Sequence, residues 1–150
     1  MKGATMKARI VFGSVVMMFL LAFPANAGGK GELQKYFNDA ATKVKATDNP
    51  SEKREILNES FQTMFKALAI VEQSPTLSKD DAVSLDRFKA SLQEKQDELT
   101  GSKGYVRVSD RQLNAFSDYV VQDTEQADQI VTISLVTLLL IAILFVLLIK

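Results

Sequence analysis

The chain has 150 residues with 18 basic and 18 acidic side chains, and it contains neither cysteine nor histidine. These absences disfavour thiol catalysis, a Ser-His-Asp triad and the common zinc, copper and haem sites. Residues 28–129 carry fourteen basic against eighteen acidic side chains, a net charge of −4, which argues against a nucleic-acid partner. We therefore expect no catalytic residue, no metal site and no cofactor.

The first 27 residues have the three parts of a secretory signal peptide. A basic start is followed by the apolar run 10–23, then by Pro24 and the small residues Ala25 and Ala27. This pattern predicts export and cleavage after Ala27. The apolar run is too short for a comfortable membrane span, although an uncleaved signal would leave the chain with two spans.

Three amphipathic segments come next, and each predicts a helix. The first runs from Glu32 to Ala46, with apolar residues three and four positions apart. The second begins at Asn49, where an N-cap side chain precedes Pro50. The third begins at Ser78 and ends at Gly101, because serine favours an N-cap and glycine a C-terminal stop.

A fourth helix is predicted to start at Ser109, with Gln112 completing a capping box. Between Gly101 and Ser109 two glycines precede β-formers, which indicates a turn and an extended stretch. No proline or glycine lies between Ser109 and Lys150. The fourth helix is therefore expected to continue unbroken to the end of the sequence.

Residues 130–149 are twenty consecutive residues without charge, proline or glycine. A helix of this length is about 30 Å long, which matches the hydrocarbon core of a bilayer. Together with the signal peptide, it predicts a single-span protein of the cell (inner) membrane. Its main domain would be periplasmic or extracellular, and Lys150 would lie on the cytoplasmic side.

The expected fold is all-α, a small antiparallel bundle of three to four helices with a C-terminal transmembrane helix. Residues 28–108 form the exported bundle in this prediction. Residues 109–129 form a membrane-proximal helix that is either the fourth bundle helix or a stalk.

Two sets of candidate interaction residues follow from the spacing of side chains. A heptad-like seam in the fourth helix favours pairing with another helix. Its members are Leu113, Phe116, Val120, Asp123 and Ala127. Within the predicted span, hydroxyl groups form a polar face that can mediate helix association. These residues are Thr132, Ser134 and Thr137.

These features favour a structural or interaction role, such as an accessory or scaffold subunit of a membrane complex. The expected partners are the lipid bilayer and either another membrane or periplasmic protein or a second copy of the chain. The alternative is a ligand-binding or sensory module with a pocket among Phe61, Phe65 and Phe88. An enzyme is the least favoured class, because the sequence displays no convergent polar cluster.

Overall fold

The structure is a computed structural model that describes residues 31–149, apart from the side chains of residues 128–130, 133 and 134. The predicted signal peptide and Lys150 lie outside the described residues. The elements are α1 (Glu32–Ala46), α2 (Pro50–Glu72), α3 (Lys79–Thr100), a 3-10 turn (Asp110–Gln112), α4 (Leu113–Ile130) and α5 (Ile133–Leu148). No strand forms among the described residues, and the predicted all-α helical bundle is confirmed.

The helix boundaries follow from local side-chain chemistry. The Asn49 side chain accepts a hydrogen bond from the Ser51 N–H at 3.0 Å, with Pro50 in the first turn of α2. The Ser78 hydroxyl accepts one from the Asp81 N–H at 3.1 Å. Gly101 ends α3 with a left-handed φ of 73°, and a Cβ there would lie 2.9 Å from that of Arg107. These predicted starts and stops are confirmed.

The centre of the core is α2, which contacts each of the other four α-helices. Its fully buried Phe61 packs against Phe37 of α1, with ring centroids 5.9 Å apart. The hydroxyl of Tyr36, also in α1, donates to the Ser60 carbonyl of α2 at 3.2 Å. The side of α2 that meets α1 is therefore packed with aromatic side chains.

Polar contacts tie together the helix ends on one side of the bundle. Lys45 of α1 pairs with Asp118 of α4. Arg54 near the start of α2 donates to Asp110 at 2.8 Å and also reaches the carbonyl of Leu99 at the end of α3. The loop from Gly101 to Ser109 therefore lies at this end of the bundle, which we call the loop end.

The predicted unbroken helix from Ser109 to Lys150 is wrong. The chain leaves the helical conformation at Val131 (ψ 136°) and Thr132 (ψ 154°), and α5 begins one residue later. We call these two residues the α4–α5 hinge. The sequence contains neither proline nor glycine here. The break therefore depends on tertiary packing, in which the apolar α5 turns back and packs along α2.

Consequently, residues 130–149 do not form one continuous helix, and α5 contains 16 residues. Among the described residues, no helix combines the length and the apolar character that crossing a membrane requires.

Candidate functional site

The most unusual surface of the described chain is on α5. This helix has no charged side chain, and the residues on its bundle side are buried. The buried set is Leu135, Val136, Leu139, Leu140, Ala142, Ile143, Val146 and Leu147. A surface helix normally places polar residues opposite such a stripe, whereas a helix that is apolar all round is normally covered on every side.

The other side of α5 is apolar and open. Ile141, Phe145 and Leu148 are 53%, 54% and 64% exposed, and Leu138 and Leu144 beside them are half-buried. We call these five residues the outer face of α5. Leu138, Ile141, Phe145 and Leu148 recur at spacings of three and four, as in the contact seam of a helix pair.

The hinge that positions this face is held by side-chain contacts. Thr132 Oγ1 accepts a hydrogen bond from the Leu135 N–H at 3.2 Å and donates one to Asp81 Oδ1 at 2.9 Å. Val131 is buried at 3% exposure, and its N–H closes α4 by donating to the Ala127 carbonyl. The start of α5 is thus fastened to the first turn of α3, at the end opposite the loop end.

The predicted hydroxyl face is therefore divided in the structure. Thr132 is the N-cap of α5 and contacts α3, rather than lying within a span. Thr137 is half-buried on α5, and the side chain of Ser134 is outside what the structure describes. The capping role of Thr132 was missed from sequence, although threonine is a favoured N-cap residue.

The predicted seam of α4 lies inside the chain. Leu113, Phe116 and Val120 are buried in the core on the side of α4 that packs against α1. Asp123 and Ala127 lie at the edge of this seam and are only partly buried. Since their own bundle covers the three apolar members, an intermolecular role for the seam stays a prediction.

A polar cluster joins α3 to α4 beside this seam. Lys95 is 4% exposed, and its Nζ lies 3.4 Å from Asp123 Oδ2 and 4.5 Å from the centroid of the Tyr119 ring. The Ser91 hydroxyl donates to the same Asp123 oxygen at 2.6 Å, and Glu98 Oε1 is 3.9 Å from the lysine. The buried ammonium group of Lys95 is therefore surrounded by two carboxylates and an aromatic ring.

The charge state of this cluster follows from its contacts. Burial by itself lowers the pKa of Lys95, but Tyr119, Asp123 and Glu98 together outweigh it and hold the pKa above its ordinary value. The lysine is therefore a permanent cation at neutral pH. A cation of this kind fastens helices together and cannot serve as a general base.

A small cleft opens next to the cluster. It has a volume of about 120 Å³ and is lined by residues of α3, α4 and the hinge, including Phe88, Ser91, Asp123 and Val131. Among the predicted pocket residues, only Phe88 lines this cleft, while Phe61 is fully buried elsewhere in the core. Typical small-molecule sites are larger, at about 300–1,000 Å³.

Comparison with known proteins gives no match to this chain, whether by family model, curated protein or solved structure. Among the described residues, no three acidic side chains gather in a way that could hold a metal ion. The arrangement thus offers apolar contact on α5 and an internal ion-pair cluster between α3 and α4.

Proposed function

We propose that this chain is an exported helical bundle held at the membrane by residues 130–149. Its role is structural, as an accessory or scaffold subunit that contacts another membrane or periplasmic protein or a second copy of itself. In this proposal the bundle faces the periplasm or the exterior, and Lys150 faces the cytoplasm.

The observation that carries the proposal is the apolar outer face of α5. Half-exposed side chains such as Ile141 and Phe145 would each gain about 1 kcal/mol on transfer from water to an apolar phase. Their neighbours on α5 include no charged group that would oppose burial in lipid. The signal-like residues 1–27 independently support export, because a basic start, an apolar run and an Ala-x-Ala site precede the bundle.

The same face supports the proposed interaction role. Within a bilayer, the spacing of Leu138, Ile141, Phe145 and Leu148 suits packing against a second apolar helix. A partner span or a second copy of α5 would fill this seam with side chains rather than with mobile lipid tails. The contact is therefore expected in the membrane rather than at the polar surface of α4.

The location is tested with single cysteines, since the natural chain has none. Val106 is 91% exposed at the loop end. In cells whose outer membrane alone has been permeabilised, Val106→Cys should therefore react with a maleimide that cannot cross the inner membrane. Lys150→Cys should react only after the inner membrane is opened. If both cysteines or neither cysteine reacts while the inner membrane is intact, membrane anchorage with this orientation is refuted. Release of the chain from membranes by alkaline carbonate would refute it as well.

The interaction role is tested with a photo-crosslinking amino acid placed at Ile141 in living cells. Gln122 is the matched control, because it is exposed on α4 and lies away from the outer face. We expect a discrete crosslinked species from Ile141, identified by mass spectrometry as one partner or as a dimer, and none from Gln122. Equal yields, or no species at either position, would rule out the proposed contact.

A ligand-binding role is the second candidate, favoured by the cleft beside Phe88 and Asp123. A carboxylate next to an aromatic ring suits a small ammonium compound, which would compete here with Lys95, the ion-pair partner of Asp123, and with Arg87 on the cleft wall. We rank it second because of the small volume of the cleft. Methylammonium should then shift the NMR signals of Ser91 and Asp123, with the shifts lost in Asp123→Asn. Unchanged NMR spectra at millimolar concentrations of methylammonium would exclude this candidate.

A further inference from the structure

The α4–α5 hinge interrupts the helix where the sequence carries only mild local signals for a break, namely the β-branched run 130–133 and the N-cap residue Thr132. Residues 127–137 contain no proline and no glycine, the two residues that interrupt helices most strongly. Nevertheless, Val131 and Thr132 are extended. Signals of this strength do not break a helix by themselves. The break therefore also depends on tertiary contacts, and it is lost if those contacts are lost.

Among the described side chains, those of Thr132 and Val131 hold the start of α5 in place. The Thr132 hydroxyl bridges the Leu135 N–H and the Asp81 carboxylate, and Val131 is buried against the bundle. The remaining described attachment of α5 is its apolar inner face, which lies mainly against α2 and to a smaller extent against α1. Apolar contact of this kind lacks directionality, and a lipid phase can replace it.

Docking on the bundle buries only one side of α5. Its inner face is covered by the bundle, while Ile141, Phe145 and Leu148 remain more than half exposed. In a bilayer, both sides would be covered at once. Away from a bilayer, release of α5 would expose the inner face and the surface of α2 beneath it, so docking is favoured there.

We propose that α5 exchanges between two states: docked on α2 in water, and inserted in a bilayer with α4 and α5 joined as one helix. In the inserted state, Val131 and Thr132 become helical, and the Thr132–Asp81 hydrogen bond is broken. Residues 130–149 then form a helix of about 30 Å, long enough to cross the hydrocarbon core. This inference rests on the membrane anchorage proposed above and adds how the anchor is kept folded before insertion.

Thr132 offers a matched pair of variants that bias the exchange in opposite directions. Its φ of −68° is the value that proline imposes, and Val131 before it is extended, as a residue preceding proline prefers. Thr132→Pro therefore fits the docked break but disrupts a continuous helix. Thr132→Ala also removes the hydroxyl contacts, yet it leaves the continuous helix intact and weakens only the docked state.

The states are distinguished by the distance between spin labels on Gln122→Cys and Ile141→Cys, two exposed positions. A continuous helix places these positions about 28 Å apart, whereas docking brings them closer because α5 turns back along the bundle. The chain is measured in detergent-free buffer and in vesicles of phosphatidylethanolamine and phosphatidylglycerol. Dilution with unlabelled chain removes distances between molecules.

We expect the short distance in buffer and the long distance in vesicles. Thr132→Ala should raise the inserted-to-docked ratio by about fivefold, the usual effect of losing an N-cap. Thr132→Pro should lower the population with the long distance by about a hundredfold, the usual effect of proline inside a helix. Reversed or equal effects of the two variants would overturn the proposed role of the hinge.

Failure of the exchange and failure of the anchorage give different results. If the chain does not bind vesicles and is not retained in cell membranes, both proposals fall. If it is retained but shows the same distance in buffer and in vesicles, the exchange is refuted and anchorage stands.

Discussion

The helices α4 and α5 follow one another along the chain and have 18 and 16 residues, yet they bury themselves in different ways. Towards the core α4 presents Leu113, Phe116 and Val120, and towards solvent it presents polar residues such as Asp118 and Gln122. Among its described side chains, α4 leaves no large apolar side uncovered once it has docked. In contrast, α5 docks and still exposes Ile141, Phe145 and Leu148.

This difference shows that the fold of one chain buries the apolar side of α4 but leaves part of the apolar surface of α5 exposed. An amphipathic helix needs one apolar neighbour, which α1 supplies for α4. A helix without a polar side needs neighbours all round, and α2 covers only part of α5. The following predictions test how the bundle of α1–α4 and how α5 are held, beginning with the largest expected effect.

The bundle should be most sensitive at Phe61, in the centre of α2. Phe61→Ala removes a fully buried ring that contacts Phe37, and it should lower the free energy of unfolding by about 3–5 kcal/mol. Urea denaturation followed by circular dichroism measures the change. Ile70 lies in the same helix and is 40% exposed, so Ile70→Ala should lower the free energy of unfolding much less. Similar losses for both variants would contradict the assigned core.

The two sides of α5 should respond differently to the same substitution. Ile143 is fully buried, whereas Ile141 is 53% exposed. Ile143→Ala should therefore lower the free energy of unfolding in water by about 2 kcal/mol or more. Ile141→Ala should change it by no more than about 0.5 kcal/mol. The measurement is urea unfolding in detergent-free buffer. Equal losses at both positions would show that α5 is not docked as described, and the contrast between α4 and α5 would disappear.

Lys95 should matter more than an ordinary surface lysine, because its partners fasten α3 to α4. Lys95→Met should cost about 1–2 kcal/mol, since Asp123 and Glu98 then lose a buried partner but remain partly solvated. Lys89→Met is the control: it removes an exposed pair with Glu72 and should cost about 0–1 kcal/mol. Thermal unfolding of both variants beside the natural chain gives the values. A Lys95→Met variant as stable as the natural chain would show that the Lys95 cluster does not help to hold α4 against α3.

Much of the bundle could be predicted from the sequence because its signals are local. Asn49, Ser78 and Gly101 act on neighbouring backbone groups, and the sequence displays them directly. Lys95 and Asp123 each interrupt an apolar stripe, and their opposite charges offered an unused signal that the two stripes meet.

The break at Thr132 could not be predicted in the same way. It depends on the packing of α5 against α2, which lies more than sixty residues earlier in the chain. An apolar run of this length has the pattern of a membrane span, and nothing in that pattern shows that a shorter part of it packs against α2 as a core helix. Local periodicity contains nothing that separates these two environments.

The smallest predicted effect concerns alkaline pH and again falls on the bundle. Burial raises the pKa of Tyr36 well above its ordinary value, so above about pH 10 the unfolded chain loses this proton while the folded chain keeps it. Stability should therefore fall as pH rises, by about 1 kcal/mol at pH 11 from this group alone. Tyr36→Phe should remove that part of the slope in urea titrations between pH 9 and about pH 11. Tyr105→Phe should change the slope much less, because Glu94 raises the pKa of this tyrosine only through solvent that screens the charge. An unchanged slope in Tyr36→Phe would show that the hydroxyl reaches water. Because α5 contains no ionisable side chain, any remaining alkaline loss must come from elsewhere in the chain.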